Sequence, residues 1–342
     1  MSMRMLQLTR VARNVLLQKP IMAVFDITNL CNQRCLMCNI WKSESDHMPL
    51  EKITEIADTL AKFGLGYVYL QGGEPTLRKD LLQIVDILIE RGIKPNVNTN
   101  GMLLTEDLAQ SIAARRCNLS ISIDSFDSEV FQMARGVDAR GFEQVINNVK
   151  RASKITKRGG NWSITTTLTK LSTLDDIKNI RKFCAEHGFM HAIRPYIFVH
   201  GTAGKADERL FFKYDDVAEI YDYVLDAAKK ENYLAYTVYK KQVEYLKGES
   251  PSLCDAMRYS LLIKSDGQIS PCLEHTRVKI NLMEDFRKQQ SAYKQLIENC
   301  NRNTPCFYGC SRNIGVLMQT APEIALHMPK IITQLIKYGN FF

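Results

Sequence analysis

The chain has 342 residues, 45% of them hydrophobic, with 45 Lys or Arg against 37 Asp or Glu and a formal net charge of +8. That composition excludes a disordered chain and supplies core material for one large α/β domain plus a smaller module. No stretch reaches the roughly 18 uninterrupted apolar residues of a membrane span, and the positive charge favours anionic partners without a Lys/Arg block that would read as a nucleic-acid arm.

The N-terminus lacks the apolar core and small-residue cleavage site of a signal peptide, so the expected compartment is the cytoplasm. Ten cysteines in a reducing compartment read as metal ligands or reactive thiols and not as a disulfide framework. Eight fall in two groups, 31–38 and 254–310, while Cys117 and Cys184 stand apart and read as small buried hydrophobes.

In chain order, residues 1–20 hold a basic amphipathic helix, with Met5, Leu8, Ala12, Val15 and Leu16 on one face and Arg4, Arg10 and Arg13 near another. Such a helix lies in a membrane surface or caps a domain. Six short β-like runs follow, at 21–28, 67–71, 95–100, 119–124, 163–168 and 192–199, and each but the last precedes a segment with apolar residues at spacings of three and four. Regular β-then-α alternation predicts a parallel sheet with right-handed crossovers. Six units fall short of a closed barrel, so the expected class is α/β, a partial (β/α)6 TIM-like barrel over residues 21–212. Ligands of such sheets sit at the C-terminal strand ends. Cys31, Cys35 and Cys38 follow the first strand, Gly72, Gly73, Glu74 and Pro75 follow the second, and 98–101 end the third.

Beyond residue 212 the pattern changes. Residues 214–230 read as an amphipathic helix, and 259–275 as a hairpin turning at Asp266-Gly267. Together with Cys254, Cys272, Cys300, Cys306 and Cys310 they suggest a smaller C-terminal α+β cysteine-rich module over 213–312. An apolar helical tail over 313–342 is interrupted by Pro322 and Pro329, and carries Lys330 and Lys337 among Ile324, Met328, Ile331 and Leu335.

Three thiolates spaced by three and then two residues can close around one metal centre from a single loop. Structural zinc wants a fourth protein ligand, and no His precedes His47, whereas an iron–sulfur cluster tolerates a non-protein fourth ligand. The spacing favours the cluster and leaves zinc as the alternative.

C-x3-C-x2-C after the first strand, Gly72-Gly73-Glu74-Pro75 after the second and the six β-α units together resemble the radical S-adenosylmethionine (radical SAM) superfamily, over roughly residues 20–200. The resemblance implies that Cys31, Cys35 and Cys38 hold three irons of a 4Fe-4S cluster whose fourth iron is chelated by SAM, and that reductive cleavage of SAM yields a 5′-deoxyadenosyl radical. Under this reading Gly72 and Gly73 let backbone approach the methionine end of SAM, and Glu74 with its neighbouring carbonyls accepts from the ammonium group. Ser122 and Asp124 share a face and would bond the ribose hydroxyls, and Asn98 and Asn100 share a face in the same way. Arg135 would reach the SAM carboxylate, while Thr167, Thr169 and Arg194 lie near later strand ends. The family usually places an aromatic residue just before the third cysteine; here Met37 occupies that position, and its thioether would contact the purine.

Cys254-x12-Gly267-x4-Cys272 and Cys300-x5-Cys306-x3-Cys310 resemble parts of the SPASM/twitch type of auxiliary-cluster domain. Ile297 stands where the full pattern has a cysteine, and none follows Cys310. The resemblance implies one auxiliary 4Fe-4S cluster, held by Cys254, Cys272 and Cys310 with Cys300 or Cys306 as fourth ligand. A zinc site or free thiols is the alternative, and Glu274 and His275 lie beside Cys272 as a ligand, a base or a surface pair.

The expected function is hydrogen abstraction from a peptide or a lipid/isoprenoid substrate, with electrons from a reducing partner such as flavodoxin or ferredoxin and no nucleic-acid partner. Auxiliary-cluster resemblance favours a peptide, although only 30 residues precede the cluster loop, which counts against a leader-binding domain. The two amphipathic ends favour a lipid and peripheral contact at the inner membrane face. A non-enzymatic iron–sulfur or zinc protein, serving as electron carrier or binding module, is the alternative from another class. A conventional SAM methyltransferase would need a glycine-rich loop where this chain has the cysteines.

Overall fold

The computed structural model of the chain describes residues 3–43, 47–155, 162–197, 207–249, 254, 256–273, 275–303, 309–331 and 333. Among them the elements run α1 (Met3–Leu16), β1 (Met22–Thr28), α2 (Leu50–Phe63), β2 (Tyr67–Gly72), α3 (Leu81–Glu90), β3 (Lys94–Thr99), α4 (Glu106–Ala114), β4 (Asn118–Ser122), α5 (Ser128–Arg135), α6 (Ala139–Ser153), β5 (Trp162–Leu168), α7 (Leu174–His187) and β6 (Met190–Pro195). There follow α8 (Tyr214–Glu231), α9 (Tyr233–Leu246), β7 (Ser260–Ile263), β8 (Ile269–Ser270), α10 (Phe286–Asn303), α11 (Gly309–Gln319) and α12 (Ala321–Leu326). Single 3-10 turns occupy Ile40–Lys42 and Pro75–Leu77.

The six expected strands form in order as a parallel sheet, β6-β5-β4-β3-β2-β1, the partial barrel of the α/β class. The hairpin does not stand apart in a C-terminal module. β7 pairs parallel with β1, Met22 opposite Ser260 and Phe25 opposite Ile263, and β8 pairs antiparallel with β7. Ser-Leu-Leu-Ile is buried throughout, as a strand with neighbours on both edges requires.

The two faces of the sheet differ in chemistry because successive side chains alternate. On the outer face Phe25, Leu70, Val97 and Ile121 pack against Ile53 and Leu60 of α2, Ile84 and Val85 of α3, Ile112 of α4 and Val149 of α6. Each such side chain, fully removed from water, contributes about 1.5–3 kcal/mol. On the inner face Met22 and Val24 of β1 meet Tyr67, Tyr69, Leu262 and Leu273, with Ile197, just beyond β6, packed against them.

Side chains start the helices and glycines end them. Thr105, Asp127, Asp138 and Thr173 each accept a hydrogen bond from the main chain three residues on, and Gly64, Gly136 and Gly188 close α2, α5 and α7 in the left-handed conformation.

The described parts of both terminal segments pack on protein, while residues 334–342 of the expected tail, Leu335 and Lys337 among them, lie outside the described residues. α1 docks through Asn14, which is fully buried and donates to the Pro20 and Gly64 carbonyls at 2.7 and 3.2 Å, while Arg10 donates to the Arg91 carbonyl at 2.7 Å. Of the apolar face expected of α1, Ala12 and Leu16 are exposed and Val15 is half-buried. In the tail, Ile331 is buried against Tyr233 and Leu234 of α9, with Ile324 packed alongside and the Tyr233 hydroxyl bonded to Glu323 at 3.1 Å. No helix among the described residues is long and apolar enough to cross a membrane.

Candidate active site at the strand ends

Residues 29–39 form the loop that carries the first cysteine group, and both its flanks are fixed by close main-chain approach. On one side the Gly73 amide donates to Thr28 O and the Glu74 amide to Leu30 O, both at 2.7 Å. A Cβ on Gly72 would lie 2.0 Å from Thr28 O, and one on Gly73 would lie 1.9 Å from Leu30 O. The glycine pair is therefore required by contact with the chain's own cysteine loop; the expectation that it clears space for the methionine end of SAM does not account for that crowding. On the other side Arg34 N donates to Arg135 O at 3.2 Å and Leu36 N to Ala134 O at 3.0 Å, while Gly136 admits the Arg34 carbonyl where a Cβ would be 2.4 Å away. Arg78, buried and ion-paired with Asp80, donates to the Ile27 and Met48 carbonyls at 2.8 and 2.7 Å and so anchors the end of β1. Gly136 and Arg78 carry no signal in sequence spacing.

Cys31, Cys35 and Cys38 are half-buried and form no disulfide. Burial pushes the Cys31 thiol up to about 12 and the Cys38 thiol up to about 11, and raises Cys35 against the opposing charge of Arg135. Each of the outer two thiols is also raised by the charge of Cys35, which places the three within electrostatic reach of one another. The Ile40 amide donates to Cys38 Sγ at 3.4 Å, and the Trp41 indole to Cys38 O at 2.9 Å. Among the described residues no trio of His, Cys, Asp or Glu is drawn together for a single metal ion. Three soft thiol donors on one braced loop fit an iron–sulfur cluster with a non-protein ligand, and their protons must leave when iron binds.

Glu74 is 1% exposed, and burial raises its pKa against its hydrogen bonds. Its Oε1 accepts from Thr76 N at 3.0 Å, Thr76 Oγ1 at 2.6 Å and Thr99 Oγ1 at 2.7 Å, and its Oε2 from Asn100 N at 2.7 Å. The carboxylate thus ties the end of β2 to the end of β3, with Oε1 fully engaged and Oε2 accepting a single bond, so that Oε2 keeps acceptor capacity beside the carbonyls around it. Pro75 starts the 3-10 turn and is buried.

Asp124 and Arg135 form an ion pair of 2.7 Å with side chains 6% and 8% exposed, and Asp124 Oδ1 also accepts from Thr167 N at 2.9 Å. For Arg135, burial works against the charge, but Asp124 and Cys35 outweigh it and hold the guanidinium protonated. Asp124 and Arg135 are engaged with each other and with Cys35, while Arg135 Nε is buried without a hydrogen-bond partner. Asn100 donates to Asn32 Oδ1 at 2.7 Å and accepts from Met102 N at 3.0 Å, bracing the cysteine loop from β3. Thr169 is used in the turn ahead of α7. Ser122, Met37 and Arg194 are half-buried, and Arg194 shares the inner face with Thr167, its register partner on β5.

Below this rim the inner face carries a hydrogen-bonded polar layer of which motif reading names Asn98 alone. Gln71 donates to Asp26 Oδ1 at 3.1 Å and accepts from Asn98 at 3.3 Å; Asn96 donates to Asn98 Oδ1 at 2.6 Å and to Ser120 Oγ at 3.3 Å; Ser120 meets Ser163 at 2.9 Å. Burial pushes the Asp26 carboxyl up to about 6, opposed by the Gln71 hydrogen bond and by the charge of Lys264 at the end of β7. The signal available was Asn96, Asn98 and Asn100 at alternate positions inside an otherwise buried strand.

In the second cysteine group, Cys254, Cys272 and Cys300 are half-buried and form no disulfide. Cys310 lies in α11, and Cys306 and Glu274 fall outside the described residues. Cys117 and Cys184 are buried in the main core, as small hydrophobes would be.

A parallel β/α partial barrel with a braced three-cysteine loop at the end of its first strand defines a class of radical-generating iron–sulfur enzymes. Residues 25–184 match the family model described as the Radical SAM superfamily, so the chain carries a radical SAM domain, of a superfamily that uses a 4Fe-4S cluster and SAM. A relative from Methanocaldococcus jannaschii named probable GTP 3′,8-cyclase is 27% identical over 293 residues, covering 82% of this chain and 94% of the relative. Streptococcus suis SuiB bound to its precursor peptide SuiA superposes with a TM-score of 0.64 at 18% identity, over 91% of this chain and 73% of SuiB. The anSMEcpe structure with bound AdoMet superposes with a TM-score of 0.63 at 16% identity, over 93% and 98%. At those identities the two structures establish the shared fold.

Proposed function

We propose that the protein reductively cleaves SAM and uses the resulting 5′-deoxyadenosyl radical to take a hydrogen atom from a substrate seated on the inner face of the sheet. The observation that carries this reading is the loop of Cys31, Cys35 and Cys38, braced on both flanks by approaches only glycine allows. A 4Fe-4S cluster on these thiolates would supply one electron to the sulfonium, breaking its carbon–sulfur bond to give methionine and the radical. The electron comes from a carrier of the flavodoxin or ferredoxin class, and the hydrogen atom passes from a substrate C–H to C5′.

The chain's own residues bind and orient. Carbonyls around Glu74 accept from the SAM ammonium, Ser122 bonds the ribose, Asn98 and Arg194 face the space beyond it, and Met37 contacts the purine. Arg135 and Asp124 hold the loop around Cys35. Cys254, Cys272 and Cys310, with Cys300 or Cys306, hold one auxiliary cluster, a reading supported by their spacing.

Three substrate classes enter the proposal. A peptide side chain is supported by the auxiliary-type spacing, and GTP by the name of the Methanocaldococcus relative. A lipid rests on the amphipathic ends, and that support is reduced because Asn14 and Ile331 dock them on the protein. The test is anaerobic incubation of reduced, reconstituted protein with SAM and each class in turn. The true class raises 5′-deoxyadenosine formation, with deuterium transferred from labelled substrate to C5′; no stimulation by any of the three would contradict this set.

A further inference from the structure

The polar layer across β1 to β5 has hydrogen-bonding capacity to spare. Gln71 and Asn98 each use one of two amide hydrogens and one of the acceptor positions of their oxygen, and both are half-buried and so reachable from the inner space. At the far edge of the same face Arg194 forms no ion pair among the described residues, and its buried Nε has no hydrogen-bond partner.

Resting on the radical-enzyme reading above, we propose that this layer seats the substrate and that the substrate is a nucleotide, its base edge paired with the amides of Asn98 and Gln71 and its phosphates held by Arg194. Side-chain amides present an adjacent donor and acceptor that match a base edge, and a guanidinium matches phosphate oxygens. Strands β3 and β6 are three places apart, roughly 14 Å along the sheet and less across its concavity, within the span of an extended nucleoside triphosphate. A prenyl chain laid on the same layer would strip water from these amides without replacing its hydrogen bonds.

The test is equilibrium dialysis of GTP against the full-length, anaerobically reconstituted protein with SAM present, with farnesyl diphosphate and inorganic triphosphate as competitors. GTP is expected to bind. Asn98→Leu should raise its Kd at least about tenfold while leaving inorganic triphosphate competition in place, and Arg194→Gln should weaken both. Asn98→Asp, which keeps the size but removes the donor, gives a second reading if Asn98→Leu does not fold. Failure of the wild-type protein to bind GTP, a Kd changed less than about twofold in every folded variant, or farnesyl diphosphate displacing GTP more readily after Asn98→Leu would each overturn the proposal. Dithionite-driven SAM cleavage by the wild-type protein is measured in parallel. Its absence would overturn the radical-enzyme reading and leave the nucleotide result standing, so the two failures are distinguishable.

Discussion

Arg135 Nη2 and Asp124 Oδ2 lie 2.7 Å apart with almost no solvent contact, directly beside Cys35. The pair joins the last turn of α5 to the end of β4, while the Arg135 carbonyl receives the Arg34 amide of the cysteine loop. Removing one partner leaves a buried charge uncompensated. Arg135→Met should therefore lower the stability of the metal-free protein by about 3–5 kcal/mol in denaturant unfolding. A loss of SAM affinity with stability unchanged would instead favour the role first expected of Arg135, a contact to the SAM carboxylate.

Gly73→Ala places a methyl group against the Leu30 carbonyl, a backbone atom that cannot rotate away. Overpacking of this kind costs about 1–3 kcal/mol or more, and here the strain falls on the cysteine loop. Iron bound per chain after reconstitution should drop well below the wild-type value. Gly248→Ala, where the added carbon meets nothing within 4 Å and the cost is confined to the local strain of a φ of +75°, should retain it. Equal iron content in the two variants would contradict the account.

In the metal-free protein burial pushes the Cys31 thiol up to about 12 and the Cys38 thiol up to about 11. Thiolate is the reactive form, so iodoacetamide alkylation of both should be slow at pH 7 and rise about tenfold per pH unit through pH 10. Peptide mass spectrometry resolves the sites. A plateau near pH 8.5 would show thiols free of the burial seen here.

The Asp26 carboxyl is raised to about 6 by burial. Between about pH 4 and 6 the unfolded chain loses this proton while the native state keeps it, so stability falls as pH rises through that window and then levels off. Asp26→Asn should remove that loss, making the variant more stable than wild type at pH 7.5 by on the order of 3 kcal/mol, with little difference at pH 4. Denaturant midpoints at the two pH values check it; parity at both would contradict the raised carboxyl.

The barrel units and the cysteine loop were legible in sequence because their signals are local: alternation within a strand, three-and-four spacing within a helix, cysteines a few residues apart. β7 was legible as one arm of a hairpin but not as a neighbour of β1, because that pairing joins residues more than two hundred positions apart. Glu74 was singled out by its motif, but its hydrogen bonds to Thr76, Thr99 and Asn100 depend on where β3 ends, which no spacing rule supplies. The amphipathic pattern of α1 pointed to Met5, Leu8, Ala12, Val15 and Leu16, and gave no sign of Asn14, a polar residue buried because two carbonyls take its hydrogens.

The most direct test of the central claim is anaerobic. The protein is reconstituted with iron and sulfide, reduced with dithionite and given SAM, and 5′-deoxyadenosine is quantified by mass spectrometry beside a Cys35→Ala control. Formation that requires Cys35 is the predicted result. Absence of 5′-deoxyadenosine from protein shown to hold a reducible cluster, persisting with GTP, peptide and lipid extracts added, would contradict the account.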